Sequence, residues 1–127
     1  MPRSQKTILC IDDHEAALSG WCLYFQAAGY RVIGHTQPEL GLQDFATRAI
    51  DAVVLDYAMP ELDGSRVADA MKRIKPEVPI LLFTAHTSIP KQLQELADAY
   101  AVKGETPQEV LRKLDGLLEL RDLPVPE

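Results

Sequence analysis

Short apolar runs alternate with amphipathic stretches along the whole chain. The first run, from Thr7 to Ile11, is continuous and apolar, which is typical of a strand buried on both faces. Four further segments fit short strands, and they span residues 30–34, 52–55, 79–83 and 100–102. The pattern therefore predicts five strands spaced through the chain.

Helical periodicity occupies the intervals between these strands. The predicted helices span residues 17–28, 38–49, 64–74 and 90–98, with a last one from residue 107 onward. Their predicted inward faces are Ala17, Trp21, Tyr24 and Ala28; Leu42, Phe45 and Ala46; Val67, Ala68, Met71 and Ile74; and Val110, Leu111, Leu114, Leu117 and Leu118. Gly20 weakens the first helix by roughly 1 kcal/mol relative to alanine.

Local signals mark the ends of two helices. Gly29 is placed to end the first helix as its left-handed cap. Thr106 and Glu109 have capping-box spacing, with Pro107 at the first helical position. The proline-containing end of the chain cannot continue a helix. We therefore predict one domain at residues 1–121, followed by a C-terminal tail or truncated linker at residues 122–127.

Five strands that alternate with five helices predict an α/β fold with a doubly wound parallel sheet. In such sheets, ligands bind outside the carboxyl ends of the strands. Asp12 and Asp13 follow the first strand, Asp56 the third, Thr84 the fourth and Lys103 the fifth. If these four strands are neighbours in the sheet, the five side chains meet in one small space.

The chemistry of this group follows from its charge. Three carboxylates held together repel one another unless a cation neutralises them, and Mg²⁺ prefers one or two carboxylates, a carbonyl and several waters. The amino group of Lys103 offsets further negative charge. A carboxylate beside a divalent cation and an ammonium group can attack a phosphoryl group, because both cations take up the charge that develops on its oxygens.

Composition narrows the class of protein. The chain has 127 residues, with 13 basic and 19 acidic side chains and a net charge of −6, which argues against binding to nucleic acid or an anionic membrane. Cys10 and Cys22 are interpreted as small buried apolar residues in a reducing compartment. No apolar signal segment opens the chain and no run approaches the ~20 apolar residues of a membrane span, so we expect a cytoplasmic protein.

Four segments carry a family resemblance. They are similar to the motifs of response-regulator receiver domains, the chemotaxis-type domains of two-component signal transduction, and they appear in the family's order. The segments are Ile11-Asp12-Asp13, residues 54–64 (which contain Asp56 and Gly64), Leu82-Phe83-Thr84-Ala85 and Tyr100-Ala101-Val102-Lys103. The resemblance covers essentially the whole chain and implies a flavodoxin-like (βα)5 fold with a five-stranded parallel sheet.

The resemblance also implies roles for the strand-end residues. Asp56 would accept a phosphoryl group from the phosphohistidine of a sensor histidine kinase or a phosphotransfer protein. Asp13, Asp56 and the backbone carbonyl of Ala58 would bind Mg²⁺ (or Mn²⁺) directly, and Asp12 would help through water. The side chains that would hold the phosphoryl oxygens are those of Thr84 and Lys103.

The resemblance also implies regulatory roles for three further positions. Tyr100 is the switch aromatic that turns inward when Thr84 moves toward the phosphate, although an aromatic in an edge strand can also be simple packing. Ala58 and His86 occupy the positions that tune dephosphorylation. Our hypothesis is that the small Ala58 leaves room for water while His86 modulates its approach; the alternative for His86 is an exposed loop histidine.

The chain departs from the family at two places. Gly104 follows Lys103 where receiver domains usually have proline, often after a cis peptide bond. Because a cis bond before a non-proline residue costs about 3 kcal/mol, we predict a trans bond at 103–104, with the freedom of glycine aiming Lys103 instead. The segment between Thr84 and Lys103 is also short by about one helical turn. Transfer of the family's dimer geometry is therefore in doubt.

The leading hypothesis is a phosphorylation-dependent signalling switch rather than a turnover enzyme. The chain would catalyse its own phosphorylation and dephosphorylation, bind an unknown target protein, and alter the surface of the fourth helix, fifth strand and fifth helix. It would be a stand-alone receiver or part of a longer protein, and a homodimer is one option.

Three other functions stay open on the sequence. An aspartate-nucleophile phosphatase also uses a strand-end Asp with Mg²⁺, but its nucleophile and acid are two residues apart, whereas Asp12 and Asp13 are adjacent. A flavodoxin-like cofactor binder needs a phosphate loop after the first strand, where these carboxylates would repel phosphate. A degenerate receiver would act as a protein-interaction module without phosphorylation.

Overall fold

The structure, a computed structural model, describes residues 2–57, 64–84 and 91–123, without the side chains of Gln92 and Leu93. The strands are β1 (Thr7–Ile11), β2 (Arg31–His35), β3 (Ala52–Asp56), β4 (Ile80–Thr84) and β5 (Ala99–Val102). The α-helices are α1 (Glu15–Ala27), α2 (Pro38–Thr47), α3 (Gly64–Ile74), α4 (Lys91–Leu96) and α5 (Pro107–Asp122). A 3-10 turn, Arg3–Gln5, precedes β1. Within the described residues, every predicted strand and helix is therefore present.

The strands form one parallel sheet in the order β2-β1-β3-β4-β5. This order confirms the flavodoxin-like doubly wound fold, because the chain moves from β1 outward to β2 and then back across the sheet. It also makes neighbours of β1, β3, β4 and β5. Their carboxyl ends, where the polar residues lie, share one edge of the sheet.

Two apolar layers cover the sheet. Side chains alternate between its faces along β1, so that Leu9 and Ile11 pack toward α2, α3 and α4 while Ile8 and Cys10 pack toward α1 and α5. Both β3 and β4 are buried at all five positions. Continuous apolar runs are required there because helices cover both faces of a parallel sheet.

The inward faces of the helices were predicted only in part. Ala46 of α2 is exposed, and the buried face passes instead through Gly41 and Phe45. A Cβ on Gly41 would lie 2.5 Å from Ile11 Cδ1, so α2 sits too close to the sheet for a larger side chain there. Ile74, the last residue of α3, is 45% exposed, because periodicity does not reveal where a helix extends past its partner. Phe25 is the buried residue of α1 that the prediction lacked.

The predicted helix signals are confirmed. Gly29 has φ +113° just after α1, and the Thr106 side chain accepts a hydrogen bond from the Glu109 backbone N–H at 3.2 Å. Helix α5 continues to Asp122, one residue past the predicted boundary, where this carboxylate pairs with the buried Lys6 at 2.6 Å. No helix in the described parts of the chain has the length and apolarity needed to cross a bilayer.

Candidate functional site

The predicted polar residues converge at the carboxyl edge of the sheet. Asp56 and Thr84 are the last residues of β3 and β4, and both are buried. Asp12 and Asp13 follow β1 directly, the first half-buried and the second exposed. Lys103 follows the last residue of β5. The parallel register, which sets Asp56 opposite Phe83 and Thr84 opposite Val102, brings these strand ends level with one another.

Three carboxylates form a cluster in this edge. One oxygen from each of Asp12, Asp13 and Asp56 can be chosen so that all three lie within 4.8 Å of one another. The Lys103 Nζ lies 3.2 Å from Asp56 Oδ1. Three negative charges thus face one nearby ammonium group, and the cluster carries an excess of negative charge.

Asp56 is the most constrained member of the cluster. Its side chain is 3% exposed. Among the described residues, no group forms a hydrogen bond with its Oδ1. The Lys103 amine is close enough for an ion pair with this oxygen, but it lacks the geometry of a hydrogen bond. The pKa of Asp12 is raised, mainly because burial disfavours its charged form and further because Asp56 is close. The His14 backbone N–H donates a hydrogen bond to Asp12 Oδ1 at 2.9 Å, and this bond has the opposite effect and lowers the pKa of Asp12.

These features fit a hard divalent cation. Asp56 Oδ1 is buried and receives no hydrogen bond from the described residues, and together with two further carboxylates it offers the oxygen ligands that Mg²⁺ prefers. The predicted backbone ligand, the carbonyl of Ala58, lies outside the described residues, as does His86. Both predicted tuning positions therefore stay predictions.

The backbone around Lys103 follows the sequence prediction. The peptide bond between residues 103 and 104 is trans, and Gly104 has φ +114°, a conformation that L side chains rarely adopt. The Lys103 N–H donates to the Thr84 carbonyl at 2.8 Å, which ties the end of β5 to the end of β4. Glycine at position 104 thus aims Lys103 without a cis bond.

Tyr100 is half-buried in β5 and packs against the core on the α3 and α4 side of the sheet. Its hydroxyl is buried and, within the described chain, accepts and donates no hydrogen bond. Burial raises the pKa of this phenol, and the charge of Asp98 raises it further. The ring thus occupies an inward position, and its switching role stays a prediction.

The sequence analysis did not assign Trp21, Phe83 or His14 to the site. Trp21 and Phe83, whose ring centroids lie 4.9 Å apart, line a cleft of about 450 Å³ beside the carboxylates. His14 caps α1, because its Nδ1 accepts from the Ala17 N–H at 3.2 Å. Histidine is not among the residues preferred at helix N-caps, so the sequence carried no local signal for this cap.

Gly64 holds the start of α3 against the strand that carries Asp56. A Cβ on Gly64 would lie 2.9 Å from the Tyr57 Cα and carbonyl oxygen. The glycine therefore permits a close approach of the two backbones and serves geometry rather than chemistry.

Comparison with known proteins gives consistent matches. A family model described as "Response regulator receiver domain" matches residues 8–115. The chain is 31% identical over 124 residues to the alkaline phosphatase synthesis transcriptional regulatory protein PhoP of Bacillus subtilis (strain 168), which covers 95% of this chain and 52% of that protein. It is 31% identical over 114 residues to response regulator SaeR of Staphylococcus aureus (strain USA300), which covers 87% of this chain and 50% of SaeR. The chain thus spans about half the length of the curated relatives it matches.

Solved structures match in fold. A CheY-like response regulator receiver domain protein from Methanospirillum hungatei JF-1 superposes with a TM-score of 0.85 at 23% identity, over 92% of this chain and 96% of that one. Response regulator protein TrrA from Thermotoga maritima, solved in complex with Mg(2+)-BeF, superposes with a TM-score of 0.82 at 30% identity, over 89% of this chain and 99% of that one.

Proposed function

This chain belongs to the response regulator receiver domain family, and on that premise we propose that it is a phosphorylation-dependent switch whose phosphoacceptor is Asp56. The observation that carries the proposal is the meeting of Asp56 with two carboxylates and the Lys103 amine at one sheet edge. The family works in two-component systems and is generally not a conventional enzyme.

The phosphoryl donor would be the phosphohistidine of a histidine kinase or phosphotransfer protein. An oxygen of Asp56 forms the bond to phosphorus while the bond between phosphorus and the donor nitrogen breaks. Lys103 lies within reach of the oxygens of a phosphoryl group on Asp56, and its ammonium offsets their charge. Thr84, at the end of the neighbouring strand, would donate its hydroxyl to one of them.

Asp12, Asp13 and Asp56 would hold Mg²⁺, with the backbone carbonyl of Ala58 as a further ligand. The cation would supply charge neutralisation for the carboxylates and for the phosphoryl oxygens. The Mg(2+)-BeF bound to TrrA supports this assignment, since that protein shares the fold at 30% identity. Mn²⁺ has the same preference for oxygen ligands and would substitute for Mg²⁺.

Phosphorylation would be transmitted through Thr84 and Tyr100. Thr84 moving toward the phosphate favours the inward position of Tyr100, which shifts the equilibrium of the surface formed by α4, β5 and α5. In the described part of the chain, helix α4 of that surface spans Lys91–Leu96. A target protein or a second copy of the chain would bind there.

The test is the intact mass of the protein after incubation with Mg²⁺ and phosphoramidate. We expect one added phosphoryl group, which is absent in Asp56→Ala and absent without Mg²⁺. The matched control is Asp69→Ala, which removes a partly exposed carboxylate that pairs with Arg73 on α3, away from the strand ends. That variant should be phosphorylated at the wild-type rate.

Different results separate the alternatives. Continuous turnover of a phosphomonoester substrate would favour a phosphatase, whereas a single stoichiometric adduct favours the switch. No adduct, together with no change in Trp21 fluorescence on adding beryllium fluoride and Mg²⁺, would overturn the proposal in favour of a phosphorylation-independent interaction module. For the tuning positions, equal phosphoaspartate lifetimes in the wild type and His86→Ala would contradict a role for His86.

A further inference from the structure

The connection between β5 and α5 is a tight turn built around glycine. The Glu105 N–H donates to the Val102 carbonyl at 3.0 Å, which closes a four-residue turn with Lys103 and Gly104 at its centre. The positive φ of Gly104, +114°, is what a type II turn requires at its third residue. Lys103, the residue that contacts Asp56, is therefore the second residue of a defined turn.

The Glu105 carboxylate adds side-chain hydrogen bonds to the same turn. Its Oε2 accepts from the Val102 N–H at 2.5 Å, and its Oε1 accepts from the Lys113 Nζ at 2.6 Å. Lys113, nearly two helical turns into α5, also donates to the Tyr100 carbonyl at 2.8 Å. The hydrogen bond from Lys113 is the main reason that the pKa of Glu105 lies below its usual value.

The position of the Lys103 amine depends on this turn. Its side chain is 45% exposed and carries a flexible four-carbon stem, so surrounding atoms do little to confine it. The direction in which the stem leaves the backbone is set by the turn, which Glu105 joins to α5. A misplacement of about 1 Å at a reacting group can slow a reaction about a hundredfold.

We propose that Glu105, braced by Lys113, is a positioning residue that holds the turn at residues 102–105 so that the Lys103 amine stays on Asp56. This inference rests on the proposed phosphorylation of Asp56. In this chain, the hydrogen bonds of the Glu105 carboxylate and the glycine turn together take the place of the proline that the family usually has at position 104.

The first experiment compares phosphorylation rates by intact mass with phosphoramidate at saturating Mg²⁺. Glu105→Ala should be slower by about tenfold, and Lys113→Met by a similar factor. Glu105→Gln keeps an acceptor for the Val102 N–H but loses the charge that holds Lys113, so it should fall between Glu105→Ala and the wild type. The matched control, Arg73→Met, removes a cation from the exposed pair with Asp69 on α3 and should react at the wild-type rate.

Two readouts separate positioning from a general loss of structure. Glu105→Gln should still bind Mg²⁺, as followed by Trp21 fluorescence, because the metal-binding carboxylates follow β1 and end β3, and loss of that binding would overturn the positioning role. In a Lys103→Met background, Glu105→Gln should slow phosphorylation no further, because it acts through the missing amine. Equal fold-losses in both backgrounds would overturn the proposal.

A second measurement does not depend on phosphorylation. Acylation of Lys103 by acetic anhydride, read by peptide mass, reports how firmly its amine is held. We expect Glu105→Gln to raise that rate about threefold, in the range for release of an exposed ion pair, and Arg73→Met to leave it unchanged. An unchanged rate in Glu105→Gln would overturn the inference. If acylation is faster in Glu105→Gln but the wild type takes up no phosphoryl group, the positioning role is upheld and only the proposed function is overturned.

Discussion

The Lys103 Nζ lies 3.2 Å from Asp56 Oδ1, although β4 separates the strands that carry the two residues. The contact crosses the end of β4, where Thr84 is buried. A cation placed across the neighbouring strand can therefore face a group attached to Asp56 from the side opposite Asp12 and Asp13.

Replacing Lys103 by methionine should slow phosphorylation roughly a hundredfold, because a preorganised charge on the phosphoryl oxygens is lost. The same change should tighten Mg²⁺ binding, since one positive charge leaves the carboxylate cluster. Intact-mass kinetics measure the first effect and a Trp21 fluorescence titration the second. A wild-type phosphorylation rate in Lys103→Met would contradict the assigned role.

Asp56→Asn should stabilise the metal-free protein by about 1–2 kcal/mol. The wild-type carboxylate is 3% exposed and close to two others, and their mutual repulsion, which the Lys103 ammonium offsets only in part, destabilises the folded state. Urea unfolding with EDTA measures the difference. Millimolar Mg²⁺ should raise the stability of the wild type far more than that of Asp56→Asn, and an equal rise in both would count against a metal ligand at this position.

Two glycine substitutions should act in opposite directions. Gly20→Ala, in the interior of α1, should stabilise by roughly 0.5–1 kcal/mol, and Gly104→Ala should destabilise by roughly 1–2 kcal/mol. Neither added Cβ would meet any atom within 4 Å, and only Gly104 has a positive φ, so the pair isolates backbone conformation from packing. Urea unfolding of both variants checks the signs. Stabilisation by Gly104→Ala would contradict the turn geometry.

The two thiols should differ sharply in reactivity. Cys22 is half-buried, and the hydrogen bond from Cys10 lowers its pKa to about 7, while Cys10 is fully buried and its pKa is raised. The rate of Cys22 alkylation by iodoacetamide should therefore rise through pH 7 rather than near 9, because the thiolate is the nucleophile. Cys10 should react only on unfolding.

The control for the thiol prediction is Cys10→Ala, which removes the hydrogen-bond donor. In that variant the pH at which Cys22 becomes reactive should return toward 9, the ordinary value. Peptide mass spectrometry across a pH series measures both rates. Equal reactivity of Cys10 and Cys22 in the folded protein would contradict the pKa assignment.

Sequence patterns predicted the elements that depend on neighbouring residues in the chain. The buried strands were recognisable because both faces of a parallel sheet are covered, which makes every position apolar. Gly29 and Thr106 were recognisable because helix caps are satisfied within a few residues. The errors at Ala46 and Ile74 have the opposite origin, since burial on a helix depends on which element lies against it.

The residues of the candidate site could also be predicted, because the ends of strands can be recognised from the local sequence. Strand-end positions placed Asp12, Asp13, Asp56, Thr84 and Lys103 at one edge once a parallel sheet was inferred. The hydrogen bonds of Glu105 to Val102 and Lys113 were not predictable, because their geometry depends on how α5 docks beside β5.

The sequence by itself determined the strands and helices, the parallel fold, and the residue types that stand at the strand ends. These follow from local periodicity, capping and the alternation of elements, which need no knowledge of distant contacts. The tertiary structure alone decided that Asp56 Oδ1 is buried with no hydrogen bond from the described residues, that Lys103 reaches it, and which helix faces are covered. Burial and distance belong to pairs of segments far apart in the chain, and only packing brings such segments together.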